Sequence, residues 1–246
     1  MPNCSPPRGR WPIPRGGEGM PNYPPPAALP GTPVKVALPA GTPVYRVHGG
    51  HRSAVNFKPV PSRAFYGGGR FDSTPYHPYG FLYLGFGVGA AVSEVLLRDM
   101  PFDGSGAWRV LPRVRVTRLC LSYLRLAADL ELVSLMSGAD LAAVGQDSWL
   151  IHADSREYPQ TRDWGHWIRE RTGPWAQGFV WPSKREPADR VAVLFEDRCP
   201  IPPLEPAGPP PVAFGTEEGE RWLNDVLGPY CATVAPRSTT AGHGRG

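Results

Sequence analysis

The chain has 246 residues, 41% of them hydrophobic, and a formal charge of +4 from 26 Lys and Arg against 22 Asp and Glu. That length suits one large soluble domain or two small ones, and so even a charge balance argues against a general nucleic-acid surface. The absence of any apolar run of about eighteen residues argues against a helical membrane span, so the expectation is a cytoplasmic protein with no membrane partner.

Proline and glycine are abundant, at 32 and 29, but twelve of the prolines lie in residues 1–40 and seven more in Cys199–Val212. This clustering divides the chain into a proline-rich flexible tail over 1–32, a folded domain over 33–198 and a proline-rich C-terminal extension over 199–246. The opening "MPNCSPPRGRWPIPRGG" carries charge and proline where a secretion signal has its apolar stretch. In "PVKVALPAGTPVYRVHG" a short alternating run, a turn at Pro39–Pro43 and a second run Val44–His48 predict two strands. A long glycine- and base-rich loop follows, a length that is uncommon without a function. Phe81–Phe86 reads as a buried strand. After the glycines 85, 87 and 89, Val88, Ala91, Val92, Val95 and Leu96 share one face of a helix, with Glu94 off that face.

Strands are then expected around Arg113–Leu119 and at Glu131–Leu135, and Ser137 and Asp140 are placed to cap a short helix. Trp164, Trp167, Ile168 and Arg171 predict an amphipathic helix ended by Gly173. The strands "GFVWPS" and "RVAVLFE" flank a basic turn at Lys184–Arg190. Strands, helix, strands, helices and strands in that order point to an α+β fold.

Several motifs have mainly bland readings. Gly85, Gly87 and Ala90 fit a dinucleotide fingerprint, but no second strand ending in an acid follows at the required distance. His48 and His51 lie in a glycine loop with no carboxylate or cysteine grouped nearby, so no metal site is expected. Ser183 lacks the G-x-S-x-G elbow of a hydrolase nucleophile. Cys4, Cys120, Cys199 and Cys231 form no C-x-x-C pair and read as free thiols in a reducing compartment. The excess of arginine over lysine favours anionic ligands such as phosphates. A glutamate about a turn into an amphipathic helix is, taken alone, a solvated residue.

A constellation reverses that last reading. "VYRVHG", "GGGRFD", "FLYLGF", "AVSEVLL" and "GFVWPSKR" occur in this order and together resemble the RES domain, named for an arginine, a glutamate and a serine. Those residues are here Arg46 or Arg70, Glu94 and Ser183. The resemblance runs from about Pro43 to Glu196 and leaves both proline-rich ends unmatched. It implies an ADP-ribosyltransferase-like compact mixed-sheet core with flanking helices, holding NAD as substrate in a cleft without a metal. It further implies an enzyme that cleaves the nicotinamide–ribose bond, with phosphate as one acceptor (an NAD phosphorylase or glycohydrolase). Such an enzyme acts as the toxin of a pair whose partner is a helix-turn-helix antitoxin.

Carried over, Glu94 is the catalytic acid residue, Arg46 and Arg70 grip the phosphates, and Ser183 donates a hydrogen bond to a phosphate or the amide. Tyr45 or Tyr83 stacks on the nicotinamide or its ribose, with Tyr66 and Tyr76 competing for that role. Two other readings stay open: a mono-ADP-ribosyltransferase acting on a protein, and a non-catalytic proline-rich interaction module.

Overall fold

The computed structural model describes residues 24–237 apart from 60, 64–66, 174 and 201. Lys35–Leu38 (β1), Pro43–Gly49 (β2) and Phe81–Gly85 (β3) lead into helix Val88–Leu96 (α1). Arg109–Leu111 (β4), the helical turn Arg113–Val116 (α2), Leu119–Leu126 (β5) and Leu130–Ser134 (β6) follow. Helices Gly138–Ala143 (α3), Trp149–His152 (α4) and Tyr158–Arg171 (α5) precede the hairpin of Gly178–Pro182 (β7) and Arg190–Phe195 (β8). Leu204–Pro206 (β9), Val212–Ala213 (β10), Glu217–Leu227 (α6) and Ala232–Val234 (β11) complete the order.

Nine strands form one mixed sheet in the order β1-β6-β7-β8-β3-β2-β5-β10, with β9 also paired to β5. Only β6 and β7 run parallel in it; β4 and β11 make a separate parallel pair. The class is α+β. Because β3 is flanked by antiparallel partners, β2 and β8, the glycines after it belong to no βαβ unit, and the dinucleotide fingerprint has no structural counterpart.

Local chemistry explains most boundaries. Ser137 caps α3 by accepting from the Asp140 amide, and α5 follows a capping box of Asp154 and Glu157 with Pro159 in its first turn. The strand expected around Arg113–Leu119 is displaced: Arg113–Val116 is a helical turn, and the strand starts only at Leu119. Pro112 sits at the N-cap of that turn, and Arg113 is drawn away to Glu220 and the Ala235 carbonyl. Long-range pairing overrides the alternation of "RVRV".

Strand alternation sorts the core. On one sheet face Phe81, Val133, Phe179, Trp181, Val193 and Phe195 pack beneath α3, α4 and α5. Farther along, Leu121 and partly buried Tyr45, Val47 and Tyr123 pack with α1 and α6. The opposite face, including Leu82, Leu84, Val180 and Leu194, is covered by Ala54, Val55 and Phe57 of the loop after β2. Val95, expected on the apolar face of α1, is 43% exposed; Ala90, Ala91, Val92 and Leu96 are buried instead.

Residues at both proline-rich ends join this core. Leu29 packs against the α5 cluster and Gly31 donates to the Ala143 carbonyl, while residues 1–23, including Cys4, lie outside the described residues. Strands β9 and β10 extend the main sheet and α6 lies on α1. Cys120, Cys199 and Cys231 are free thiols.

The turn from β3 into α1 depends on a close approach. A Cβ on Gly85 would meet the Ala91 backbone, 2.6 Å from its nitrogen and 2.9 Å from its Cα. Gly85→Ala is expected to cost about 1–3 kcal/mol, as overpacking against backbone does, read by urea unfolding.

A second expectation concerns acid. His166 on α5 is buried between Thr74 Oγ1 and the Tyr79 hydroxyl, 3.3 Å from each, and stacks on His77. Burial, with the charges of His77, Arg169 and Arg162, pushes it from 6.5 down to about 3. The unfolded chain therefore takes up this proton near 6.5 while the folded chain resists, so stability falls as pH drops from 6.5 towards 3. The contribution is at most about 1.4 kcal/mol per pH unit, and His166→Asn should flatten the slope of unfolding free energy over that window.

Candidate active site

The site begins with a gap in the sheet. Strands β2 and β3 pair at a single position, Tyr45 opposite Gly85, and then part, although each stays paired along its other side, β2 to β5 and β3 to β8. At the far end of β3 the Phe81 backbone is bridged by Lys58 from the long loop, at 2.8 and 3.3 Å. Between these closures opens a cleft of about 400 Å³. Arg46 and Val47 line one side, Leu82, Tyr83 and Leu84 the other, and Glu94, Arg98, Arg70 and Tyr158 stand over it.

Glu94 is half-buried on α1, one face round from the helix's core residues. Its Oε1 accepts from Ser183 Oγ at 2.8 Å and from the Lys184 backbone N–H at 2.5 Å. Among the described residues Oε2 accepts no hydrogen bond. Ser183, fully buried at the end of β7, also accepts from the amides of Arg185 and Glu186 at 3.4 and 3.2 Å. Its one proton goes to Glu94. The structure thus places Ser183 behind Glu94, where it orients the carboxylate, and not on the cleft wall where direct donation to a ligand was expected. Lys184 extends its ammonium to Asp154 at 2.7 Å, which fixes the same turn to the start of α5.

Arg46 lines the cleft while donating to the carbonyls of Ala54 and Asn56 at 2.5 and 2.8 Å. Burial and the nearby Arg52 lower its pKa to about 10, so it stays a cation at neutral pH. Arg70 is 3% exposed, donates to the Ala153 carbonyl at 3.2 Å and lies over the Tyr158 ring at 5.4 Å. Arg98, one helical turn after Glu94, lies 5.2 Å from the same ring. Two buried donors on the wall, Arg70 Nε and Trp181 Nε1, have no acceptor among the described residues.

Tyr45 meets Tyr123 edge to face. The Tyr83 hydroxyl donates to Asp72 and accepts from the Phe71 amide, both at 2.9 Å; burial and then the Asp72 charge hold its pKa well above the usual range. Tyr76 is 77% exposed and lies off the cleft, and Tyr66 is outside the described residues. His48 lies 2.8 Å from Ser122 Oγ, and among the described residues no three His, Cys, Asp or Glu group as metal ligands.

Five of the six expected site residues, Tyr45, Arg46, Arg70, Tyr83 and Glu94, therefore line one cleft, and Ser183 adjoins it. Lys58, Asp72, Arg98 and Tyr158 were missed. Only Arg98 had a signal, its four-residue spacing from Glu94. Because Arg46 ties down the loop after β2, Arg46→Ala should accelerate amide exchange across residues 53–57 while β7 and β8 keep their protection.

No curated protein matches the chain by sequence. Among solved structures, the crystal structure of the M.tuberculosis MbcT-MbcA toxin-antitoxin complex contains a similar chain, 19% identical with a TM-score of 0.47; the match covers 70% of this chain and 84% of that one. Among the described residues no helix is long and apolar enough to cross a membrane. The RES domain profile matches residues 43–214, from β2 to the residue after β10. That is well over half of the sequence, and the chain belongs to the RES domain family.

Proposed function

We propose that this protein is an enzyme that consumes NAD by breaking the bond between nicotinamide and ribose, and that it serves as the toxin of a toxin–antitoxin pair. The observation that carries the proposal is Glu94: one oxygen is held by Ser183 and the Lys184 amide, and the other has no partner among the described residues, in a cleft walled by Arg46 and Arg70. Cleavage builds positive charge on the ribose in an oxocarbenium-like transition state. A carboxylate already oriented by two donors stabilises that charge without reorganising. Nicotinamide departs neutral, so no general acid is required at the leaving group. The cations Lys58, Arg46, Arg70 and Arg98 suit the pyrophosphate, and the unpartnered Arg70 Nε and Trp181 Nε1 are donors ready for a substrate oxygen.

The same excess of positive charge favours an anionic acceptor, and phosphate is the acceptor we assign. The partner expected of this family is a helix-turn-helix antitoxin that covers the cleft. Incubation with adenine-labelled NAD, with and without inorganic phosphate, separates the outcomes. Phosphorolysis gives a small phosphorylated ADP-ribose, hydrolysis gives ADP-ribose, and modification of a protein leaves label on protein. Glu94→Gln should keep the contacts from Ser183 and Lys184 but lower NAD turnover by about 100-fold or more, with a melting temperature near that of the parent. NAD left intact by the parent protein would overturn the proposal.

A further inference from the structure

We infer that Arg162 and Asp72 are positioning residues, two buried side chains of opposite charge that hold the glycine loop from either side and thereby set Arg70 and Tyr83 against the cleft. Arg162 comes from α5 and is 1% exposed. It donates through Nε to the Gly69 carbonyl at 3.0 Å, through one terminal nitrogen to the Arg63 carbonyl at 2.7 Å and through the other to the Gly67 carbonyl. The neighbouring Thr161 donates to the Arg70 carbonyl at 2.9 Å. Among the described residues no backbone-to-backbone hydrogen bond ties any residue from 63 to 72. The carbonyls of 63, 67, 69 and 70 are instead taken by two consecutive side chains of one helix.

Asp72 supplies the opposite charge. It is 2% exposed and accepts from the Ser62 and Tyr83 hydroxyls, with Lys58 Nζ at 3.5 Å. Gly68 lies between the two charges: a Cβ there would fall 2.7 Å from Asp72 Oδ2 and 2.9 Å from an Arg162 nitrogen. Its φ of +77° independently requires glycine. At Gly69 a Cβ would fall 2.5 Å from Asp72 Oδ1 and 2.7 Å from the Tyr83 hydroxyl. The glycine run is therefore the space left for a charged support, and that support touches both the residue preceding Arg70 and the hydroxyl of Tyr83. A guanidinium buried without a carboxylate at ion-pair distance is costly to the fold, and every acceptor found for it lies in the loop that ends at Arg70.

For catalysis this inference rests on the proposed NAD reaction; for structure it does not. Arg162→Lys keeps the charge and loses the fork. In ligand-free protein it should speed amide exchange over residues 67–71 by about tenfold or more while β7 and β8 stay protected. With NAD it should raise KM by up to about 100-fold with a smaller change in kcat, the mark of misplaced binding groups. Asp72→Asn and Tyr83→Phe should each weaken NAD use, and the double variant should be no worse than the poorer single one, because both act through one hydrogen bond. Should Arg162→Lys not fold, Thr161→Val supplies the exchange measurement and the Asp72 and Tyr83 variants the kinetic one. Uniformly faster exchange, unchanged exchange in the loop, or additive losses would overturn the inference. If the parent fails to consume NAD, the functional proposal falls while the exchange result still decides whether the loop is held this way.

Discussion

The structure turns on the single-residue contact between β2 and β3. A fully zipped pair would leave a continuous sheet with no room for a ligand. Here each strand spends its other edge on a different neighbour, β5 or β8, and Gly85 lets α1 descend until its backbone nearly touches the strand. That descent brings Glu94 within reach of Ser183, at the end of a strand two places away in the sheet. Lys58 bridges the other end of the gap, so backbone hydrogen bonds set both limits of the cleft.

The cleft walls concentrate unfavourable features. Arg70 is buried with a nitrogen that has no acceptor among the described residues, Arg46 is buried deeply enough to depress its pKa, and behind the wall Arg162 holds the loop that ends at Arg70. Each buried guanidinium carries a desolvation cost, which its hydrogen bonds to loop carbonyls offset. Stability is supplied elsewhere, by the aromatic layer of Phe71, Phe179, Trp181 and Phe195 beneath α5 and by the aliphatic layer on the other sheet face. Local departures from an apolar interior are the expected mark of a functional site.

Strands β2, β3, β7 and β8 and helices α1, α3 and α5 were legible because their signals are local, whereas α6 lies in the stretch read as a proline-rich extension. "FLYLGF" is apolar over one strand length, and Ser137 announces a helix start. The ordered motifs gave most of the cleft because they are strands and turns whose side chains converge. What stayed hidden depends on contacts remote in sequence. "RVRV" alternates as a strand does, yet the partner that removes Arg113 lies 107 residues away. Arg162 reads as the polar side of an amphipathic helix, but α5 is packed on both sides, between the sheet and the loop after Gly67. Ser183 was singled out from motif order alone; its hydrogen bond to Glu94 is a matter of distance that no spacing encodes.

Helix α6 and β11 carry a consequence for how the molecule is made. Arg109 donates to the carbonyl of Tyr230, 121 residues later, and the Tyr230 hydroxyl reaches Glu186 in the turn that supports Glu94. Strand β4 acquires its partner only when residues 232–234 arrive, and α1 acquires much of its apolar cover only with Leu223 and Leu227. On the ribosome, an emerging chain therefore carries the sheet and the glycine loop well before the turn beside Glu94 is braced. Closure of such distant contacts is slow compared with local folding, so the bracing of the turn beside Glu94 follows the local folding of the strands and loop that surround the cleft.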